Sequence, residues 1–277
     1  MKGADMIKFL LSLVVVWIHT GTSDLHGLVH CAVPIFFFFS GFFLFGKLFI
    51  VSDNASAVLV SWWKKTLRLY LVWSLIFLPF AIYGFYLDEL PFWKGALVWL
   101  RNLFFRGENY LSWPLWYLLG LLQAGAVIWL FLKLKCPFWS LCLVALFLWM
   151  LPRFVDLYRL PYLGEIDAAV KGLTIGLPYM VLGGILRKLC PSITGWPRES
   201  PCFAPSLLLR FFSIHIYLTH MIWVGLFRIF AQMPRGIILW GTTVCVALVT
   251  GFVIHRFPAM ERFLYGRSFC FCRRNGT

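Results

Sequence analysis

Residues 28–45 read LVHCAVPIFFFFSGFFLF, a run without a single Asp, Glu, Lys or Arg. At about 1.5 Å per residue, a helix of this length crosses a hydrocarbon core roughly 30 Å thick. Its apolar residues are consecutive, whereas a membrane barrel strand alternates every second residue, so the run is a spanning helix. Pro34, Ser40 and Gly41 interrupt the phenylalanines, and together they predict a kink or a close helix approach.

Runs of the same kind recur on both sides of it. The sequence predicts further spans near residues 6–21, 69–85, 113–132, 137–151, 168–186, 207–230 and 236–254. Residues 92–106 are too short and too charged to cross, because Arg101 and Arg106 break the apolar pattern, and they read as a re-entrant or interfacial segment. The basic stretch 46–66, with Lys47, Lys64 and Lys65, reads as a linker, and the proline-rich stretch 191–205 as a loop. The fold class is all-α: a polytopic bundle of eight to ten spans, forming a single domain over residues 1–277.

Composition agrees. Of the 277 residues 61% are hydrophobic and only 13% charged, and the net charge is +14. A water-facing domain cannot hide that much apolar surface. With the N-terminus placed in the cytoplasm, 17 of the 25 Lys and Arg fall on the inner side, which supports eight crossings with both ends inside. The excess of positive charge therefore reports membrane topology, and no nucleic acid is expected. The eight Cys lack metal-ligand spacing and read as small core residues, Cys270 and Cys272 among them, and no metal is expected.

Ionisable groups at membrane depth are expensive, and each is a candidate for function. Lys8 and His19 are eleven residues apart, about three turns, and share one face of the first helix. Lys65 and Arg68 enter the third helix at its inner end. Trp116 and Tyr117 open the fourth helix, and His215, Tyr217 and His220 lie in the seventh. Each group also has a plain reading as an interface anchor or a satisfied core residue.

Five stretches in order resemble the acyltransferase-3 family of membrane O-acyltransferases: residues 7–19 (IKFLLSLVVVWIH), 33–44 (VPIFFFFSGFFL), 63–69 (WKKTLRL), 114–118 (PLWYL) and 212–220 (FSIHIYLTH). The resemblance implies an enzyme of a bacterial cytoplasmic membrane, with acetyl-CoA or another acyl-CoA as co-substrate, no permanently bound cofactor, and a hydroxyl of a cell-surface glycan as acceptor. His19 would be catalytic, either as general base or through a transient acyl-histidine. Lys8, Lys65 and Arg68 would bind the anionic nucleotide of coenzyme A. Trp116, Tyr117, Tyr217 and His220 would bind the acceptor, while Pro34, Ser40 and Gly41 shape the second helix. Two other readings stay open: a carrier that moves a glycan or lipid without chemistry, and a shortened, inactive relative of the family.

Overall fold

The computed structural model describes residues 2–21, 31–51, 54–157, 161–190 and 204–266. Among them every regular element is helical: α1 (Lys2–Thr20), α2 (Ala32–Ile50), α3 (Ala55–Leu87), α4 (Phe92–Arg101), α5 (Leu115–Lys133), α6 (Phe138–Leu157), α7 (Pro161–Leu189), α8 (Ala204–Phe230), α9 (Ile237–His255) and α10 (Pro258–Tyr265). Seven of these, α1, α2, α3, α5, α6, α8 and α9, are long and apolar enough to cross a membrane. The chain is an all-α, polytopic integral membrane protein. It divides into two compact units, residues 1–32 with 192–277 and residues 33–191.

The first unit is built on α1, α8 and α9. Asp5 meets Arg210, Ser213 donates to the Lys8 carbonyl, and His19 meets His220. Residue numbers rise together along the two helices, so α1 and α8 run parallel. α9 runs against them: Trp240 Nε1 donates to the Leu13 carbonyl, and the Gly236 amide to that of Thr20. Val16, Ile216, Val244 and Ala247 form the dry centre between the three helices.

The second unit holds α2 to α7. α7 lies parallel to α2, because Gly176 faces Phe37, Gly41 faces the Met180 backbone, and Gly183 faces Phe38 and Phe42. On the other side of α7, a Cβ on Gly172 would stand 2.9 Å from Gly120 Cα on α5. Without water to drive helices together in lipid, close backbone approach at small residues does so. α7 shares the course of the α2 span and carries Arg187 and Lys188 in its last turn.

Several expectations need correction. Residues 46–66 are not a linker: α2 continues to Ile50 and α3 begins at Ala55, so Lys64 and Lys65 sit on a helix. Their exposure is what local charge reported; a polar flank on a long helix looks the same in sequence. Pro34 does not kink a span, because it lies in the first turn of α2, where its missing amide has no partner to lose. The segment 92–106 agrees with its reading as too short to cross: it is a ten-residue helix closed by a π-helical turn over Asn102–Arg106 that Gly107 ends with φ 74°. α10 was not anticipated. Most of the proline-rich loop, Cys270 and Cys272 lie outside the described residues.

Candidate functional site

At the far end of α1 in the first unit, the rings of His19 and His220 stack at 5.2 Å with an interplanar angle of 28°. His220 is fully buried. Its Nδ1 lies 2.8 Å from the Tyr217 carbonyl and 3.1 Å from the Ile216 carbonyl, both in the preceding turn of its own helix. Two acceptors facing one ring nitrogen fix the neutral tautomer: Nδ1 carries the proton and Nε2 presents its lone pair. That Nε2 is buried and has no hydrogen-bond partner.

Four further buried polar atoms without partners lie on the same three helices: the indole Nε1 of Trp17, the indole Nε1 of Trp223, the Thr243 hydroxyl and, near the start of α1, Asp5 Oδ2. Trp17 sits two residues before His19, and Trp223 one turn beyond His220. The amide of Gly236, which precedes α9, is tied to the end of α1 through the Thr20 carbonyl at 2.7 Å. Buried polar groups are normally paired, and leaving one unpaired costs about 1–3 kcal/mol. Indole offers only a donor, whereas the His220 Nε2 offers an acceptor. The first unit therefore holds buried, unpaired groups of both kinds.

The opposite end of the unit is polar, and most of its buried groups are paired, Asp5 Oδ2 excepted. Asp5 Oδ1 accepts from Arg210 Nε at 2.8 Å, and Glu261 Oε1 faces His255 Nδ1 at 2.9 Å. His215 joins the Tyr265 hydroxyl through Nδ1 and the Thr250 hydroxyl through Nε2 at 3.1 Å. Burial pushes the Tyr265 phenol above its ordinary value, and the Glu261 carboxylate adds to the shift. α10 owes its position to these bonds: it buries Glu261, Leu264 and Tyr265 against the ends of α8 and α9. Sequence reading missed this end; a Glu and a Tyr four residues apart in a short amphipathic stretch were the available signal.

The other expected site residues are dispersed. Tyr217 is buried, its ring 6.2 Å from that of His220. Lys8 shares α1 with His19, about three turns away. Lys65 and Arg68 are exposed on α3 in the second unit. There Tyr117 bonds to the Ser40 hydroxyl at 2.8 Å and packs on Phe37, which also touches Trp116 at 5.8 Å. Gly41 accommodates the Met180 backbone. Ser40, Gly41, Trp116 and Tyr117 thus tie α2, α5 and α7 together.

The second unit also has a small polar pocket of about 10 Å³ beside the π-helical turn, lined in part by Tyr70, Ser74, Asn109 and Ser112. Tyr70 donates to the Leu103 carbonyl at 2.7 Å, and Asn102 donates to Asn109 at 2.9 Å. Among the described residues no group of His, Cys, Asp and Glu is placed to hold a metal ion.

No family model matches the chain, and no solved structure matches it. Two curated proteins are similar. The amino-acid racemase of Enterococcus faecalis is 28% identical over 167 residues, which cover 57% of this chain and 22% of the relative. The serine/alanine racemase of Enterococcus gallinarum is 31% identical over 144 residues, covering 46% of this chain and 19% of the relative. The chain thus spans about a fifth of the length of the curated relatives it matches. These names overturn the expectation of an acyltransferase enzyme, since a racemase transfers no acyl group. The physical reason lies in what the motifs report: the Ser-Gly pair and the Trp-Tyr pair form helix contacts, which many chemistries can share.

Proposed function

We propose that this chain is a membrane carrier module that binds a small zwitterionic amino acid at the His19–His220 end of its first unit and moves it across the bilayer. The observation that carries the reading is the buried, unpartnered Nε2 of His220 beneath the His19 ring, with unpaired indole donors on the same helices. An ammonium or side-chain hydroxyl donates to Nε2, and a carboxylate accepts from indole N–H groups. Ionisable and polar groups inside spanning segments mark substrate paths. The names of the two relatives supply the substrate class: one acts on amino acids, the other on serine and alanine. That both relatives come from bacteria supports a location in a bacterial cytoplasmic membrane. Acyl-CoA and a glycan acceptor have no role in this reading.

Proteoliposomes containing the purified chain and loaded with unlabelled L-serine test it. Saturable counterflow of radiolabelled L-serine or L-alanine is expected, with the enantiomer unchanged on chiral chromatography. Absence of both counterflow and binding overturns the proposal. Conversion of L- to D-serine by the chain overturns the carrier assignment in favour of an enzyme.

A further inference from the structure

α6 and α7 pack together in the second unit, yet they leave an open groove of about 210 Å³ between their exposed faces. From α6 it is lined by Cys142, Ala145, Leu146 and Trp149; from α7 by Pro178, Tyr179, Val181, Leu182 and Ile185. These positions follow helical stripes, 142–145–146–149 and 178–181–182–185, so each helix offers one continuous face. Along α6 the stripe covers eight residues, about 10 Å of helix. Pro178 lacks an amide, which removes one backbone bond inside α7 and favours a bend there. Leu146 and Leu182 are 56% and 49% exposed, as expected for a face that meets hydrocarbon.

The groove has a charged end. Continuing the α7 stripe by three residues from Ile185 reaches Lys188, and continuing the α6 stripe four residues back from Cys142 reaches Phe138. The Lys188 ammonium stands 5.6 Å from the centre of the Phe138 ring. Arg187 adjoins it on α7, and Lys133 and Lys135 lie at and just after the C-terminal end of α5, shortly before α6 begins. No Asp or Glu occurs in residues 109–155 or 168–190, so nothing local in these segments neutralises that charge. An apolar channel at membrane depth that ends in an ammonium matches an acyl chain attached to an anionic headgroup.

We propose that this groove seats one acyl chain of an anionic phospholipid, with the lipid phosphate on Lys188. The inference is independent of the amino-acid site, because every residue it uses lies in the second unit. Native mass spectrometry of the full chain, equilibrated with equimolar phosphatidylglycerol and phosphatidylcholine, tests it. The wild-type chain should retain phosphatidylglycerol over phosphatidylcholine by about fivefold, the order expected for one cation at the headgroup. Lys188→Gln should remove that preference and Lys188→Arg should keep it. Ala145→Phe, which fills the groove, should reduce retention of both lipids. Thermal melting of each variant separates loss of lipid from loss of fold. Equal retention of the two lipids by the wild type overturns the proposal, as does an undiminished preference in a folded Lys188→Gln chain.

Discussion

Replacing Gly41 by alanine tests the α2–α7 packing at the point where it is tightest. A Cβ built on Gly41 meets the carbonyl oxygen, Cα and carbonyl carbon of Met180. All three are backbone atoms, so no flexible side-chain tip can swing aside and the two helices must separate. Overpacking of a close-packed interior costs about 1–3 kcal/mol, and a backbone obstacle places Gly41→Ala at the upper end, about 3 kcal/mol. Gly241 on α9 is the internal control, because nothing lies within 4 Å of its added Cβ. There alanine only gains helix propensity, about 0.5–1 kcal/mol. The two identical substitutions should therefore shift stability in opposite directions. Thermal unfolding in one detergent, followed by circular dichroism, reads both. An unchanged melting temperature for Gly41→Ala, or equal loss in the two variants, would refute the packing argument.

Three further outcomes follow from contacts in the structure. Arg210→Met should destabilise the first unit by about 3–5 kcal/mol, because it strands the buried Asp5 carboxylate, and adding Asp5→Leu should recover most of the loss in a double-mutant cycle. Tyr265→Phe should cost about 1 kcal/mol through its bond to His215. The raised pKa of the Tyr265 phenol means that its neutral form is favoured in the fold, so its contribution is complete below the ordinary tyrosine range near 10 and fades as pH rises further; the melting temperatures of wild type and Tyr265→Phe should converge as pH rises above that range. Finally, if α7 crosses the membrane, single-cysteine chains should react with an impermeant maleimide from one side at Cys136 and Cys190 and from the opposite side at Cys31. Labelling of Cys190 together with Cys31 would mean that α7 does not cross.

The long apolar runs were legible because composition alone sets membrane depth, and seven of the described helices are long and apolar enough to cross a membrane. Helix ends were less legible: Lys64 and Lys65 are exposed on α3, and an exposed basic turn looks like a linker when only charge is read. Partner choice was not legible at all. Nothing in residues 33–44 shows that Gly41 faces the Met180 backbone, or that Ser40 bonds to Tyr117 far along the chain, because periodicity names a buried face without naming what covers it. The His19–His220 stack illustrates the same limit. Both residues stood out as costly polar groups in spans, but their pairing and the direction of the His220 ring came only from the fold. The motif resemblance read such residues as acyl-transfer chemistry, whereas the relatives carry racemase names.

Equilibrium binding of L-serine to the chain in nanodiscs, wild type against His220→Phe, tests the central claim most directly. Phenylalanine preserves the stacked ring beside His19 while removing Nε2, the buried acceptor left without a partner, together with the Nδ1 bonds to the Ile216 and Tyr217 carbonyls, so melting of the variant is measured alongside. Loss of a hydrogen bond to a charged group is worth about 1.5–3 kcal/mol, so the account predicts an affinity roughly 10- to 100-fold weaker in a chain that stays folded. Wild-type affinity in a folded His220→Phe chain would contradict it.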